Sequence, residues 1–225
     1  MGIFAYTDDL IILAPRRDAL QKMIKISESY MSEHKILFST KKTKCIYFAS
    51  KNSDHKDIIE KVEVAGKKFP WVSHAVHIGN TLHEDGTMDQ DVKVKRAQFI
   101  DEVQNLQQEF YKCHPEVQAK LMTLYSSSCY GSNTWNLFGN WAKKFFISWN
   151  VNLKVIWDLP HETHRHFFEH LTECRHIKVL LLKRFLKFLI SISDGLNQAC
   201  KMLLYTCYRN VKSVTGSNLR NIDEI

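Results

Sequence analysis

Two adjacent acidic residues, Asp8 and Asp9, stand between two short apolar runs near the start of the sequence. The runs, residues 3–6 and 10–13, are rich in aromatic and β-branched side chains, which is typical of a strand covered on both faces. Aspartate is rare inside such a strand but common in tight turns. The pattern therefore predicts a buried β-hairpin with the two acids at its tip.

A turn changes what two neighbouring carboxylates can do. In a regular strand Asp8 and Asp9 would point to opposite faces, whereas at a tight turn both can approach one cation. Hard divalent ions such as Mg²⁺ prefer oxygen ligands and take one or two carboxylates together with substrate phosphates. Two interpretations stay open at this point: a metal-binding turn, and an ordinary hairpin turn that contains Asp.

The positive charge of the chain is concentrated towards its C-terminal end. The net charge is +7 over 225 residues, and nine of the Lys and Arg residues fall between Arg175 and Arg220, where Asp194 is the one acid. A cationic helical segment is the expected footprint of a phosphate-backbone partner. The alternative is a basic helix face that only meets solvent. The residues that we expect to contact nucleic acid are Lys178, Lys183, Arg184, Lys187, Lys201, Arg209 and Lys212.

The spacing of the cysteines and the length of the apolar runs indicate the cellular compartment in which the chain is expected. Six cysteines are scattered without a Cys-x-x-Cys pair, at positions 45, 113, 129, 174, 200 and 207. This spacing is typical of a reducing intracellular compartment, nucleus or cytoplasm, rather than of a disulfide scaffold. The most apolar run, residues 179–190, is interrupted by three cations and is too short to span a bilayer. We expect a core-facing helix there, no signal peptide and no membrane partner.

Hydrophobic periodicity predicts an α+β chain whose two parts differ in class. Residues 1–88 read as mixed, with a helix that opens near Pro15 and Asp18, a strand over 44–49, a hairpin around residues 65–67 and one further strand over 75–82. Residues 89–225 read as helical. Long helices are predicted over 89–111, from Pro115 onward and over 141–157, followed by two or three more to about residue 212 and a frayed end. Each of the three long helices has a stripe that should face the core: Val92, Arg96, Phe99, Val103, Leu106 and Phe110 on the first, Val117, Leu121, Leu124, Tyr125 and Ser128 on the second, and Phe145, Phe146, Trp149, Leu153 and Ile156 on the third.

Two other sets of residues invite a functional interpretation. On a helix, His166, His170 and Cys174 would share one face at a spacing that can ligate zinc. The set lacks the cysteine pairs of most structural zinc sites, so we expect no zinc. Four tryptophans could stack on bases, yet tryptophans at helical spacing more often anchor a core. We predict that Trp135, Trp141, Trp149 and Trp157 belong to the core.

From Tyr6-Thr7-Asp8-Asp9 onward the chain resembles the C-terminal half of a reverse transcriptase from a LINE-type, jockey-like (non-LTR) retrotransposon, over nearly its whole length. Those enzymes usually carry Ala at the position of Thr7. The later segments that carry the resemblance are 37–45 (LFSTKKTKC), 76–82 (VHIGNTL), 124–135 (LYSSSCYGSNTW), Trp149-Asn150, Leu159-Pro160 and Thr163-His164-Arg165. The resemblance implies a partial polymerase palm over 1–88, with the acidic hairpin, a helix and further antiparallel strands. It implies an all-α, thumb-like region over 89–225.

The resemblance also implies a chemistry and its site residues. The reaction is nucleotidyl transfer by an RNA-directed DNA polymerase, in which a primer 3′-hydroxyl attacks the α-phosphate of a deoxynucleoside triphosphate on an RNA template. Asp8 and Asp9 would be catalytic and would hold Mg²⁺ or Mn²⁺. Lys41, Lys42 or Lys44 would neutralise the triphosphate or protonate the leaving pyrophosphate. The segment His77-Ile78-Gly79 would grip the primer.

The same resemblance implies that parts of the enzyme lie outside this sequence. Polymerases of this type have a third carboxylate on an earlier palm strand, and their fingers precede the acidic hairpin. We therefore expect a fragment that is inactive by itself. Two alternatives remain: a non-catalytic nucleic-acid-binding remnant that uses the basic helices of 175–220, and a purely structural helical module.

Overall fold

The computed structural model of the protein describes residues 1–37, 39, 41–48, 62–64, 66–126, 129–164, 167–168, 176–210 and 212–223. The chain forms two compact units, Met1–Thr87 and Met88–Ile225. In the described residues the first unit contains antiparallel hairpins and one helix, and the second unit is helical. The coarse prediction of an α+β chain is thereby confirmed.

The first unit is built from three two-stranded sheets and a helix in its described part. Strands β1 (Gly2–Tyr6) and β2 (Asp9–Leu13) form the acidic hairpin, and helix α1 (Arg17–Glu33) follows it. Strands β3 (Glu63–Val64) and β4 (Lys67–Lys68) form the predicted hairpin around residue 66. The last hairpin consists of β5 (His74–His77) and β6 (Asn80–His83).

The core of the first unit is small. Its buried members are Ile24, Val62 and Phe69, against which four partly buried residues pack: Ile12, Leu20, Cys45 and Trp71. The amide group of Gln21 joins α1 to β3, because it donates to the Glu63 carbonyl at 2.8 Å and accepts from the Glu63 N–H at 3.0 Å. Strand β2, through Ile12, and helix α1 thus share a limited apolar contact. Most of the acidic hairpin lies outside this contact.

Two strand predictions in the first unit are wrong. The apolar segment at 44–49 forms a single bridge, Cys45 to Trp71, and no strand in its described part, 44–48. Residues 75–82 form a hairpin rather than one strand, because Ile78 and Gly79 both adopt left-handed backbone angles (φ of 45° and 69°) and reverse the chain. Two successive residues with positive φ make the tight turn that matches the twist of a hairpin.

The second unit packs long helices around an aromatic core. Its elements are α2 (Asp89–Glu109), α3 (Pro115–Leu121) with a π-helical turn over Met122–Ser126, α4 (Asn140–Ile156), α5 (Ile177–Asp194), α6 (Gln198–Arg209) and α7 (Val214–Asp223). The indole of Trp149 on α4 stacks on Phe99 of α2 with ring centroids 5.5 Å apart. Trp135 contacts Phe145 edge to face at 5.7 Å. Such pairs add to the burial of apolar area.

The predicted core faces of α2, α4 and α5 are confirmed in the main. Phe145, Phe146, Trp149, Leu153 and Ile156 of α4 are all buried, as expected from their helical spacing. On α5 the residues Ile177, Leu181, Phe185 and Leu189 form the buried stripe. Trp135 and Trp149 are fully buried, and Trp141 and Trp157 pack against the same core, which confirms their assignment to it.

Two predictions in the second unit are wrong. The stripe expected after Pro115 is on the wrong face: Val117, Leu124 and Tyr125 are exposed, whereas Met122 and Ala119 are buried. The buried residues of this segment, Gln118, Ala119, Met122 and Ser126, also recur at helical spacing, so the predicted stripe has the right period but lies one residue away around the helix. The predicted frayed end is instead helix α7 over its described part, residues 214–223, and this helix is held by Asn218. This buried amide donates to the Trp135 carbonyl at 2.8 Å and accepts from the Leu137 N–H at 3.1 Å.

In the described part of the chain, none of the helices is both long enough and apolar enough to cross a bilayer.

Candidate metal-binding hairpin and basic helices

The two acids lie at the bend of the first hairpin. Tyr6 and Asp9 are the last paired residues of β1 and β2, so Thr7 and Asp8 are the two central residues of the turn. Asp8 therefore sits in the turn itself and Asp9 is the first residue of the returning strand. Both are exposed. Their carboxylates accordingly extend from the tip of the hairpin rather than from the middle of an extended segment.

The turn forces Thr7 into an unusual backbone conformation. Its φ is 55°, in the left-handed region that β-branched residues rarely adopt. A two-residue hairpin turn with positive φ at its first central position normally carries Gly there. Backbone strain of this kind persists at functional sites when the surroundings hold it in place.

Replacing Thr7 by Gly should stabilise the hairpin. Relief of the left-handed conformation is worth about 1–2 kcal/mol, and the added freedom of Gly in the unfolded chain costs about 0.5–1 kcal/mol. Hydrogen exchange of the amides of residues 2–13 should therefore slow by about 2- to 5-fold. Ala5→Gly, in the exposed middle of β1, is the matched control and should speed the same exchange. Faster exchange in Thr7→Gly than in the parent chain would contradict the claim that the backbone of Thr7 is strained.

The expectation that this hairpin is buried is wrong. Phe4 is 60% exposed and Tyr6 is 63% exposed, and Ile3 and Leu13 are also largely accessible. Of the two strands, Ile12 is the residue that packs against the small core of the first unit. The described residues place no third strand beside β1 or β2. An apolar run of this length predicts a strand but does not determine which of its faces another element covers.

The donor atoms at the hairpin tip are of the kind that a hard divalent cation prefers. Asp8 and Asp9 offer up to four carboxylate oxygens in an accessible position, and such ions complete their coordination with water or phosphate oxygens. Among the residues that the structure describes, no cluster of three or more His, Cys, Asp or Glu side chains could hold a metal ion. The hairpin thus supplies two carboxylates, and a third ligating side chain is not found with them in that part of the chain.

The lysines expected to meet a triphosphate are exposed, and Lys41 and Lys42 lie in a turn. Ser39 accepts hydrogen bonds from the Lys42 and Thr43 N–H groups at 3.1 and 3.0 Å, which fixes the chain direction through this segment. Lys41, Lys42 and Lys44 are all exposed. None of the three forms an ion pair with the described carboxylates of Asp8 or Asp9. Phe38 and Thr40, which belong to the same motif, lie outside the described residues.

The segment expected to grip a primer forms the turn of the third hairpin. His77 pairs with Asn80, so Ile78 and Gly79 are its two central residues. The Asn80 side-chain amide donates to the Ile78 carbonyl at 3.5 Å. This places His77, Ile78 and Gly79 together at one end of a short, regular hairpin.

The seven cations of the C-terminal helices do not form one uniform row. Lys183 and Lys187 are exposed one turn apart on α5, and Lys212 is exposed between α6 and α7. Lys178 instead covers the ring of Phe138 at 4.5 Å, and Arg209 lies over the ring of Tyr205 at 4.8 Å. Arg184 and Lys201 are half-buried. Four of the seven, Lys183, Lys187, Arg209 and Lys212, are therefore exposed and available to a phosphate backbone.

Sequence reasoning missed a buried polar network at the start of α2. Asp91, which is 1% exposed, accepts hydrogen bonds from Trp135 Nε1 at 2.8 Å and from Lys95 Nζ at 3.1 Å. Lys95 also donates to the Tyr130 carbonyl. The one sequence pattern that points to this network is an acid four residues before a lysine, and the same pattern is common on exposed helices.

The histidines and the cysteine considered as zinc ligands, His166, His170 and Cys174, lie outside the described residues, as do Arg165 and the serines at 127 and 128. His176 caps α5, where its Nδ1 accepts from the Lys178 N–H at 3.1 Å.

Comparison of the chain with models of protein families, with curated proteins and with solved structures finds no match.

Proposed function

We propose that this chain carries the metal-binding hairpin and the thumb-like helices of an RNA-directed DNA polymerase of the non-LTR, LINE-type class. The observation that carries the proposal is the position of Asp8 and Asp9, two successive carboxylates at the bend of an antiparallel hairpin whose first strand ends at Tyr6. A hard divalent cation needs such oxygen donors, and nucleotidyl transfer needs such a cation. The fold supports the proposal by its order, an α+β unit followed by a helical unit.

In this proposal the carboxylates and the lysines of the chain have different roles, which follow from their chemistry. Mg²⁺ or Mn²⁺, when bound, supplies the positive charge that nucleotidyl transfer requires at the attacking and leaving oxygens. Asp8 and Asp9 hold that charge at the hairpin tip. An exposed lysine among Lys41, Lys42 and Lys44 neutralises the triphosphate, because an ammonium group acts as a mobile point charge. The substrates are an RNA template, a DNA primer and deoxynucleoside triphosphates.

The 225-residue chain should not extend a primer by itself. Two carboxylates are fewer than the three that polymerases of this type use, and the described residues add no third one to the pair. Primer extension on an RNA template with Mg²⁺ or Mn²⁺ measures this, with Asp8→Ala as the control. Extension by the parent chain that Asp8→Ala abolishes would contradict the proposed need for a further carboxylate.

The alternative is a nucleic-acid-binding protein without catalysis. It is favoured by the solvent exposure of the acidic hairpin together with the exposed cations Lys183, Lys187 and Lys212. Both candidates predict binding to a primer–template duplex with a steep dependence on salt, since phosphate contacts release counterions. They differ at the hairpin: Asp8→Asn and Asp9→Asn should change the effect of Mg²⁺ on nucleotide binding only if the hairpin holds metal.

A further inference from the structure

Helix α6 leaves an apolar and aromatic cleft open beside α5 and α7. The cleft has a volume of about 310 Å³, within the range of small-molecule sites, and we call it the tyrosine cleft. It is lined by Leu189, Ser193, Lys201, Leu204, Tyr205, Tyr208 and Leu219. No residue of α6 is fully buried. The helix thus presents much of its surface to solvent although it is rich in apolar side chains.

The two tyrosines make the cleft suitable for a flat ligand. Tyr205 and Tyr208 are one turn apart on α6 and therefore on the same side of the helix. Their side chains are 57% and 59% exposed, so large parts of both rings remain accessible. Three leucines form the apolar remainder of the lining. Aromatic faces of this kind bind nucleobases in a sequence-tolerant way, since every base has a π-face.

The charges around the cleft favour an anionic occupant. Lys201 lines it, and the guanidinium of Arg209 lies over the Tyr205 ring at 4.8 Å. Lys212 lies three residues after the end of α6, and Asp194, at the end of α5, is the nearest acid in sequence to the lining residues. Residues 176–225 carry eight Lys and Arg against three acids. An uncharged apolar helix from a partner protein would leave these cations without a function, whereas a phosphate backbone would pair with them.

We infer that the tyrosine cleft binds unpaired nucleotides of a single-stranded nucleic acid, with bases stacked on Tyr205 and Tyr208 and phosphates held by Lys201 and Arg209. The inference shares with the proposed function only the class of partner, nucleic acid. It adds a preference for unpaired bases, which the outward-facing lysines of α5 do not confer, because point charges contact the backbone of single and double strands alike.

The test uses the full chain and fluorescein-labelled oligonucleotides of about 12 nucleotides, (dT) and (rU), beside a duplex of the same length. Fluorescence anisotropy at low salt gives the dissociation constants. Tyr205→Ala and Tyr208→Ala should each weaken single-strand binding by about 5- to 150-fold, the range for loss of one base–aromatic stack. Duplex binding should change by less than about 2-fold. Tyr205→Phe and Tyr208→Phe keep the ring and should bind as the parent chain does.

Tyr111→Ala and Tyr125→Ala are the matched controls, because both tyrosines are exposed in the same unit and lie outside the cleft. They should leave single-strand binding unchanged. Equal affinity of the cleft variants and the parent for single strands would overturn the inference and leave the proposed function intact. Failure of the parent chain to bind any oligonucleotide would overturn both. A cleft variant that alters self-association but not single-strand binding would assign the surface to a protein contact and also overturn the inference.

Discussion

Asp91→Ala should lower the free energy of unfolding of the helical unit by about 3–5 kcal/mol, which is the usual result of removing one partner from a buried ion pair. The Asp91 carboxylate is buried and accepts from both the Trp135 indole and the Lys95 ammonium. The substitution leaves a buried N–H donor without its acceptor and a nearly buried ammonium without its counter-charge. The cost is thus mainly that of the groups left behind, not the net value of the pair.

Urea denaturation followed by tryptophan fluorescence measures this loss, since four of the five tryptophans belong to the helical unit. Asp101→Ala is the matched control, because Asp101 is an exposed acid on the same helix. It should shift the free energy of unfolding by less than about 0.5 kcal/mol. If the two alanine variants lost equal stability, the network of Asp91, Lys95 and Trp135 would not be a stabilising element of the fold.

The triple variant Lys183→Gln, Lys187→Gln, Lys212→Gln should bind a primer–template duplex at low salt at least about 100-fold more weakly than the parent chain. All three lysines are exposed. If each lysine contacts one phosphate, the slope of log K against log salt should become less steep by about 0.9 per lysine, or nearly 3 for all three. A purely structural role for these helices predicts no change in slope.

The matched control for that variant removes the same amount of charge elsewhere in the helical unit. Lys112, Lys120 and Lys143 are exposed and lie outside the basic C-terminal segment. Their triple replacement by Gln should leave the salt slope within about 1 of the parent value. Equal losses in both triple variants would show that the chain responds to net charge alone, without a binding surface on its C-terminal helices. Thermal unfolding of both variants controls for folding.

Much of the fold was predictable wherever local pattern and tertiary burial agree. Helix α4 is the clearest case, because Phe145, Trp149 and Leu153 recur at helical spacing and all three are buried. Helix α7 was not predictable on the same basis. Its sequence is polar and contains Gly216, whose missing side chain allows the Cys207 carbonyl to approach within 2.7 Å of a Cβ position. Its place in the fold depends on Asn218 and the chain near Trp135, which are far apart in sequence.

The candidate site was predictable in its local part only. The turn at Asp8 and Asp9 follows from the residues around it, since a short apolar strand on each side of two acids favours a hairpin. The covering of that hairpin depends on other elements, and the sequence of the strands does not specify them. The tyrosines of α6 were not predicted as a site, because helical spacing alone does not show whether another element covers them, and no residue of this helix is buried.

A matched pair of acids elsewhere in the first unit allows the metal-binding claim to be tested within one molecule. Glu84 and Asp85 are also adjacent and also lie at a turn. Desolvation acts to raise the pKa of Asp85, but the hydrogen bonds from Thr87 and the nearby His83 outweigh it, so this pKa lies below its ordinary value. The Asp85 carboxylate accepts from the Thr87 N–H at 2.7 Å. The Asp85 carboxylate thus already has hydrogen-bonding partners within the chain. Asp8 and Asp9, by contrast, lie exposed at the tip of their hairpin.

The most direct measurement is paramagnetic broadening of backbone amide NMR signals by Mn²⁺, added to about 1 mM, a concentration suited to weak oxygen-ligand sites. We expect selective broadening of the amides of residues 6–10, and its loss in Asp8→Asn combined with Asp9→Asn. Glu84→Gln combined with Asp85→Asn should leave it unchanged. Broadening at residues 6–10 that persists without the two aspartates, or that is no stronger there than around Glu84, would contradict the assignment of this hairpin as a metal-binding site.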